Sequence, residues 1–329
     1  MITLTLPDGS TRDLEAPVTG VEFAASISKS LAKKALALKL DGVVVDLATQ
    51  IDRNCELAVI TADDEEGVAL MRHGCAHVMA EAVQELIPGT QVTIGPVIEN
   101  GFFYDFASET PFSLDDLETI EKRMREIVER NHRIVREVWD RGYAAEHFRS
   151  IGELFKAEII ETIPTEEAIT IYKQGDWMDL CRGPHVPSVG KIGISFKLTK
   201  LAGAYWRGDS NNQMLQRIYG TCWANEKQLK AYLTMIEEAE KRDHRKIGRE
   251  MDLFHLQEEA QGSVFWHKKG YVIWQALEQY IRRRLEANGY DEVKTPQLLD
   301  RRFWEQSGHW DKFRENMFVV PDEVPAIDD

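Results

Sequence analysis

Residues 68–89 read VALMRHGCAHVMAEAVQELIPG. Val68, Met71, Cys75, Val78, Met79, Ala82, Val83 and Leu86 recur at three- and four-residue spacing, which predicts one face of a long helix, and Pro88-Gly89 predicts its end. The acidic run 63–66 before it suits the positive end of a helix and marks a boundary. His73 and His77 stand four apart, so both imidazoles project from one face, one turn apart.

Upstream, Ile2, Leu4 and Leu6 alternate with Thr3 and Thr5, and residues 7–10 (Pro-Asp-Gly-Ser) are a turn signal, so a hairpin is expected. Phe23, Ile27, Leu31 and Ala35 predict a helix over 21–37. Strands at 36–40, 43–47 and 57–60, the first two joined at Asp41-Gly42, complete a small ubiquitin-like α+β module.

Downstream, 90–224 mixes short strands with a helix expected to be capped at Ser113 and to carry Leu114, Leu117, Ile120, Met124, Ile127 and Val128: a second α+β domain. Residues 225–249 read as one charged helix that turns basic, with Arg242, Arg245, Lys246 and Arg249 on one face, able to track phosphates. An amphipathic helix is expected over 271–287 and a strand over 291–295. The final nine residues, PDEVPAIDD, hold four acids and no base, and suggest a chain cut short. The fold class is α+β, multidomain.

The 329 residues include 40 Lys and Arg against 55 Asp and Glu, a net charge of −15, which excludes a chain-wide attraction to nucleic acid. Any RNA contact must be local. Four cysteines without a C-x-x-C pair argue for a reducing compartment. The N-terminus lacks a basic segment followed by an apolar run, and no stretch has the length of a membrane span; the expected location is cytoplasmic.

Cys181 and His185 repeat the four-residue offset, but Gly183-Pro184 forbids a helix there, so this pair belongs to a tight loop. His73, His77, Cys181 and His185 have the donor types of tetrahedral zinc; they could equally work without metal, positioning water or moving protons near neutral pH. Lys156 and Asp179 add a cation and a carboxylate, each a surface charge by default. Neither a P-loop nor a G-x-G-x-x-G is present, which disfavours a P-loop NTPase or a Rossmann enzyme. Residues 202–212 read as a polar loop with aromatic anchors, of a kind that holds a ribose or base.

Taken together, RHGCAH (72–77), GPVIENGFFYDF (95–106), DLCRGPHVP (179–187), GAYWRGDSNNQMLQRIYGTCW (203–223), KRDHRKIGREMDLFH (241–255), VFWHKKG (264–270) and SGHWDKF (307–313) resemble bacterial threonyl-tRNA synthetase. The resemblance implies a TGS domain of β-grasp type at 1–62, an editing (tRNA deacylase) domain at 63–224, a linker helix at 225–243, and at 244–329 the opening of a class II antiparallel-sheet catalytic domain with motif 1. The full-length family charges tRNA(Thr) with ATP, Mg2+ and Zn2+ as a homodimer. Its ATP-binding motifs 2 and 3 and its anticodon-binding domain fall outside this sequence, so the expectation is a chain that retains only hydrolysis of mischarged Ser-tRNA(Thr).

By the same resemblance His73 and Lys156 activate the water, and His77, Cys181 and His185 shape the pocket. Asp179 holds the substrate's amine or a sugar hydroxyl, and Tyr104 and Arg182 flank the site. No cofactor is expected in this chain, zinc on His73, His77, Cys181 and His185 being the disfavoured alternative. The partner implied is the acceptor end of tRNA(Thr), with Arg242, Arg245, Lys246 and Arg249 on its phosphates, and no membrane. A zinc hydrolase unrelated to tRNA and a non-catalytic RNA-binding module are the competing readings.

Overall fold

A computed structural model describes residues 1–15 and 17–320. The acidic tail expected to mark a cut chain lies outside the described residues. The chain forms two compact units, Met1–Glu238 and Ala239–Asp329. Among the described residues no helix is long and apolar enough to cross a membrane.

The first unit opens with β1 (Ile2–Thr5), β2 (Thr11–Leu14), β3 (Val18–Thr19), α1 (Gly20–Ile27), α2 (Lys29–Lys34), β4 (Ala37–Leu40), β5 (Val43–Asp46), β6 (Gln50–Ile51) and β7 (Cys55–Ile60). Five strands make one sheet in the order β2-β1-β7-β4-β5. The central pair, β1 with β7, is parallel, Leu4 opposite Cys55, while its neighbours run antiparallel. Alternation on β1 buries Ile2 and Leu4, and they pack with Phe23, Leu38, Ile51 and Leu57 under the helices. Asp41 and Gly42 both take positive φ, the conformation that a two-residue hairpin between β4 and β5 requires.

The helix expected over 21–37 is two. Ser28 is extended (φ −165°, ψ 151°); its N–H donates to Ala24 O and its side chain accepts from Leu31 N–H, so one residue ends α1 and caps α2. A local cap outweighs the apolar period.

Next come α3 (Glu65–Leu86), β8 (Gln91–Val92), β9 (Val97–Ile98), β10 (Gly101–Ala107), α4 (Asp116–Arg130), β11 (Ile134–Trp139), α5 (Arg141–Ser150), α6 (Leu154–Thr162), β12 (Ile169–Gln174), β13 (Trp177–Leu180), β14 (Phe196–Tyr205), β15 (Met214–Cys222) and α7 (Glu226–Lys241). Strands β14-β15-β10-β8 form one sheet, with β9 on β10, and β11-β12-β13 a second. Met71, Cys75, Val78 and Met79 of α3 share a core with Phe102 and Phe106 of β10 and with Met124 and Ile127 of α4.

Helix α4 starts two residues later than expected, with Asp115 at its cap position. The Ser113 N–H and hydroxyl donate to the Asp116 carboxylate, making a turn before the helix, and Leu114 is exposed. Strand β14 extends into the presumed loop 202–212 as far as Tyr205, and Trp206 is a buried anchor whose ring meets Phe155.

In the second unit, α8 (His244–Glu250), β16 (Phe254–His255), β17 (Phe265–Trp266), α9 (Lys268–Ala287), α10 (Arg301–Gln306) and α11 (His309–Phe313) follow. The basic helix expected to run unbroken through 225–249 stops at Lys241 and restarts at His244, because Asp243 turns back to accept the Arg245 N–H. Residues 291–295, expected as a strand, are irregular; among the described residues they meet no partner strand, and only β16 and β17 pair in this unit.

Candidate functional site

Helix α3 is buried over most of its length, and its His73 and His77 rings lie 5.0 Å apart. The β12–β13 hairpin sets Tyr172 opposite Asp179, and the chain leaves β13 directly into the 181–185 loop. Gly183 is indispensable there: at φ +70°, an added Cβ would sit 1.9 Å from the Tyr172 hydroxyl. That close approach carries Cys181 and His185 back over α3. The Nε2 atoms of His73 and His185 lie 3.0 and 3.3 Å from Cys181 Sγ, and the His185 ring is 4.3 Å from each of the other two imidazoles. One ligand atom from each of His73, His77, Cys181 and His185 falls within 4.8 Å of all the others.

A second group adjoins this cluster. Lys156 of α6 is 2% exposed and Asp179 1%, so neither is the surface charge that is the default for its type; they form a buried ion pair. Lys156 Nζ donates to Tyr104 Oη at 2.9 Å, and Tyr104 donates to Asp179 Oδ2 at 2.5 Å. His77 Nε2 faces the same oxygen at 3.7 Å. Burial sets the protonation states. It lowers His73 to about 4, against the pull of Asp179, and holds His77 and His185 well below the ordinary imidazole value. It pushes the Cys181 thiol up to about 12 and raises the Tyr104 phenol. The result is three neutral imidazoles and a thiol beside one buried ammonium–carboxylate pair. The Nδ1 atoms of His77 and His185 are buried without a hydrogen-bond partner.

The structure thus brings together seven of the residues singled out in the sequence: His73, His77, Tyr104, Lys156, Asp179, Cys181 and His185. Arg182 points away, 77% exposed, with its guanidinium on Glu167. In the second unit Arg242 lies in the break between α7 and α8, and Arg245 is paired with Asp243. Lys246 and Arg249 line a cleft of about 420 Å³ with Arg245, which Glu240, Asp243 and Glu250 line as well, so the surface is mixed rather than uniformly basic. Three contributors were missed in the sequence. Trp177 sets its ring edge-on to His77, and Tyr172 packs 4.4 Å from His185. Asp46, at the end of β5, accepts the His185 backbone N–H and the Tyr172 hydroxyl. No local signal marked any of the three.

Residues 2–61 match the TGS domain, and residues 169–219 match the threonyl and alanyl tRNA synthetase second additional domain. The chain is similar over its whole length to bacterial threonine--tRNA ligases. It is 70% identical to the threonine--tRNA ligase of Parvibaculum lavamentivorans and 62% identical to that of Hyphomonas neptunium, in each case across 100% of this chain and 50% of the relative. Against the threonine--tRNA ligase of Rhodospirillum rubrum it is 61% identical over 97% of the chain and 50% of the relative. The chain spans about half the length of the curated relatives it matches. The synthetase resemblance read from the motifs therefore stands, and the two competing readings are not favoured. Tyr172, Asp179, Cys181 and His185 lie inside the second-domain match, whereas His73, Tyr104 and Lys156 reach the site from sequence before it.

Proposed function

We propose that this chain carries the proofreading activity of a threonine--tRNA ligase, hydrolysing the ester of Ser-tRNA(Thr). The observation that supports this most is the convergence of three neutral imidazoles, a thiol and the Lys156–Asp179 pair on one pocket beside a tRNA-synthetase domain match. The need for such a site is physical. Serine and threonine differ by one methyl, worth about 1–3 kcal/mol in a binding pocket, too little for a single selection step.

In this reading His73, neutral at working pH, accepts a proton from the attacking water while the Lys156 ammonium stabilises charge developing on the ester oxygen. His77, Cys181 and His185 form the wall that the substrate's side chain meets. Asp179 takes a positioning role beside the one the resemblance implied. It fixes the ammonium through its ion pair with Lys156 and accepts from Tyr104 at Oδ2, while Oδ1 accepts no hydrogen bond among the described residues and is left to receive the substrate's amine or sugar hydroxyl.

The pocket works without a resident metal in this proposal. His73, His77, Cys181 and His185 are the residues that would hold zinc, which would supply a Lewis acid. However, the buried Lys156 ammonium beside them would make a divalent cation costly there. Stoichiometric zinc by elemental analysis, with activity lost to a chelator and regained with zinc, would overturn this part.

The domain limits that go with the reading are 1–62, 63–224, 225–243 and 244–329, and the helix break at Asp243 supports the third of them. The partner is the acceptor end of tRNA(Thr) in the cytoplasm. Homodimerisation, and charging of tRNA with ATP through class II motifs further along such ligases, belong to the proposal for the whole protein. The test is deacylation of Ser-tRNA(Thr) against Thr-tRNA(Thr) by the purified chain. Rapid loss of serine with survival of the threonyl ester is expected; comparable loss of both, or of neither, would refute it.

A further inference from the structure

Asp46 belongs to the N-terminal β-grasp sheet, yet both hydrogen bonds of its carboxylate among the described residues go to the second domain. It accepts the His185 N–H at 2.8 Å and the Tyr172 hydroxyl at 2.7 Å. Strand β5 is an edge strand, and Asp46 is its last residue, so the side chain leaves the sheet where no further strand intervenes. Tyr172 is 3% exposed. Its ring lies against the His185 imidazole, and its hydroxyl rests over the Gly183 backbone, while Gly183 N–H donates to Cys181 Sγ at 3.2 Å. One carboxylate therefore grips the 181–185 loop twice, at the His185 main chain and through the phenol on which the loop sits. An ionised acceptor makes such bonds stronger than a neutral one would.

We propose that Asp46 is a positioning residue for the hydrolytic pocket, through which the N-terminal domain sets the placement of Cys181 and His185. The inference rests on the proofreading reading of the site. On it, the TGS domain is a structural part of the pocket, and its loosening slows hydrolysis without weakening capture of tRNA, because Asp46 itself touches no substrate.

The experiment uses the whole chain with Asp46→Ala, Asp46→Asn and Tyr172→Phe. Groups that orient reacting side chains from behind contribute about 10- to 100-fold, so Asp46→Ala should lower kcat on Ser-tRNA(Thr) by that factor while KM stays within about twofold. Asp46→Asn keeps an acceptor oxygen for the His185 N–H and should recover most of the rate. Tyr172→Phe, which deletes one of the two bonds and keeps the ring, should fall between and covers the case in which Asp46→Ala does not fold. A second readout needs no hydrolysis. N-ethylmaleimide labelling of Cys181, located by peptide mapping with Cys181→Ser as control, should accelerate in Asp46→Ala and hardly change in Asp46→Asn. Unchanged kcat and unchanged labelling in the folded variants would overturn the proposal, as would equal losses in the Ala and Asn variants with unchanged labelling. If the unsubstituted chain spares Ser-tRNA(Thr), the proofreading reading fails, and labelling alone then decides whether Asp46 holds the loop.

Discussion

The Nε2 of His73 stands 3.0 Å from the Sγ of Cys181, and the contact joins two neutral groups, not an imidazolium and a thiolate. With the imidazole lowered to about 4 and the thiol pushed up to about 12, proton transfer between them is strongly uphill at neutral pH. The thiolate is the nucleophilic form of cysteine, so Cys181 should not attack the ester. Cys181→Ser should slow deacylation without abolishing it, and rapid-quench kinetics should show no burst. A seryl thioester trapped on the protein would contradict this.

His73→Ala should cut deacylation by about 10²- to 10⁴-fold, the usual contribution of a general base, in a protein that still folds. Lys156→Ala differs, because Lys156 is buried. Its removal leaves the buried Asp179 carboxylate without its cation, and breaking a buried pair costs about 3–5 kcal/mol. Urea denaturation should show that loss. Adding Asp179→Asn should restore much of the stability and none of the activity; a Lys156→Ala protein as stable as the parent would disprove the pairing.

Glu81, one turn along α3 from His77, supplies a pH dependence of stability. It is 4% exposed, accepts from Gln174 and faces Arg130 at 3.3 Å, and burial pushes its carboxyl up to about 7 from an ordinary 4.5. Arg130 opposes that rise, but Arg130 is a third exposed and bonded chiefly to Glu85, so burial prevails. Between these two values the folded chain holds a proton that the unfolded chain has released. The resulting stability is fully present below 4.5 and is lost as pH rises through 7. Glu81→Gln should remove that slope and stabilise the chain by about 3 kcal/mol at pH 8 relative to the parent. Parallel urea midpoints for parent and variant at pH 5 and pH 8 would refute it.

On the second unit, Lys246 and Arg249 are the better candidates for phosphate contact, since Arg245 is held by Asp243. Replacing both by Ala should raise KM for tRNA with little change in kcat, and lower the salt slope of binding by about 0.7 to 0.9 per contact. Arg245→Ala should do less. A KM indifferent to salt through the physiological range would remove the electrostatic account.

The parts of this molecule legible from sequence were those fixed by short-range rules. His73 and His77 follow from helical spacing, Asp41-Gly42 from turn geometry, and the Cys181–His185 loop from a Gly-Pro step that no helix tolerates. Side-chain caps defeated the same rules where they competed: Ser28 splits one expected helix and Asp243 another, each by satisfying backbone groups that periodicity takes no account of. Tyr104 was placed near the site, but its bridge from Lys156 to Asp179 depends on three elements meeting. Asp46 was beyond reach, since its bond to His185 closes a separation of 139 residues between two domains.

The parallel pairing of β1 with β7 has a bearing on biosynthesis. Because β1 lies inside its sheet, between β2 and β7, the N-terminal sheet cannot close until the ribosome has released the chain to Cys55. A polypeptide started half a dozen codons late would lose β1 and leave β2 without the strand it pairs with, baring Leu57 on β7 and loosening the sheet that carries β5 and Asp46. Such a product would keep every pocket residue from His73 onward and still be expected to hydrolyse Ser-tRNA(Thr) more slowly.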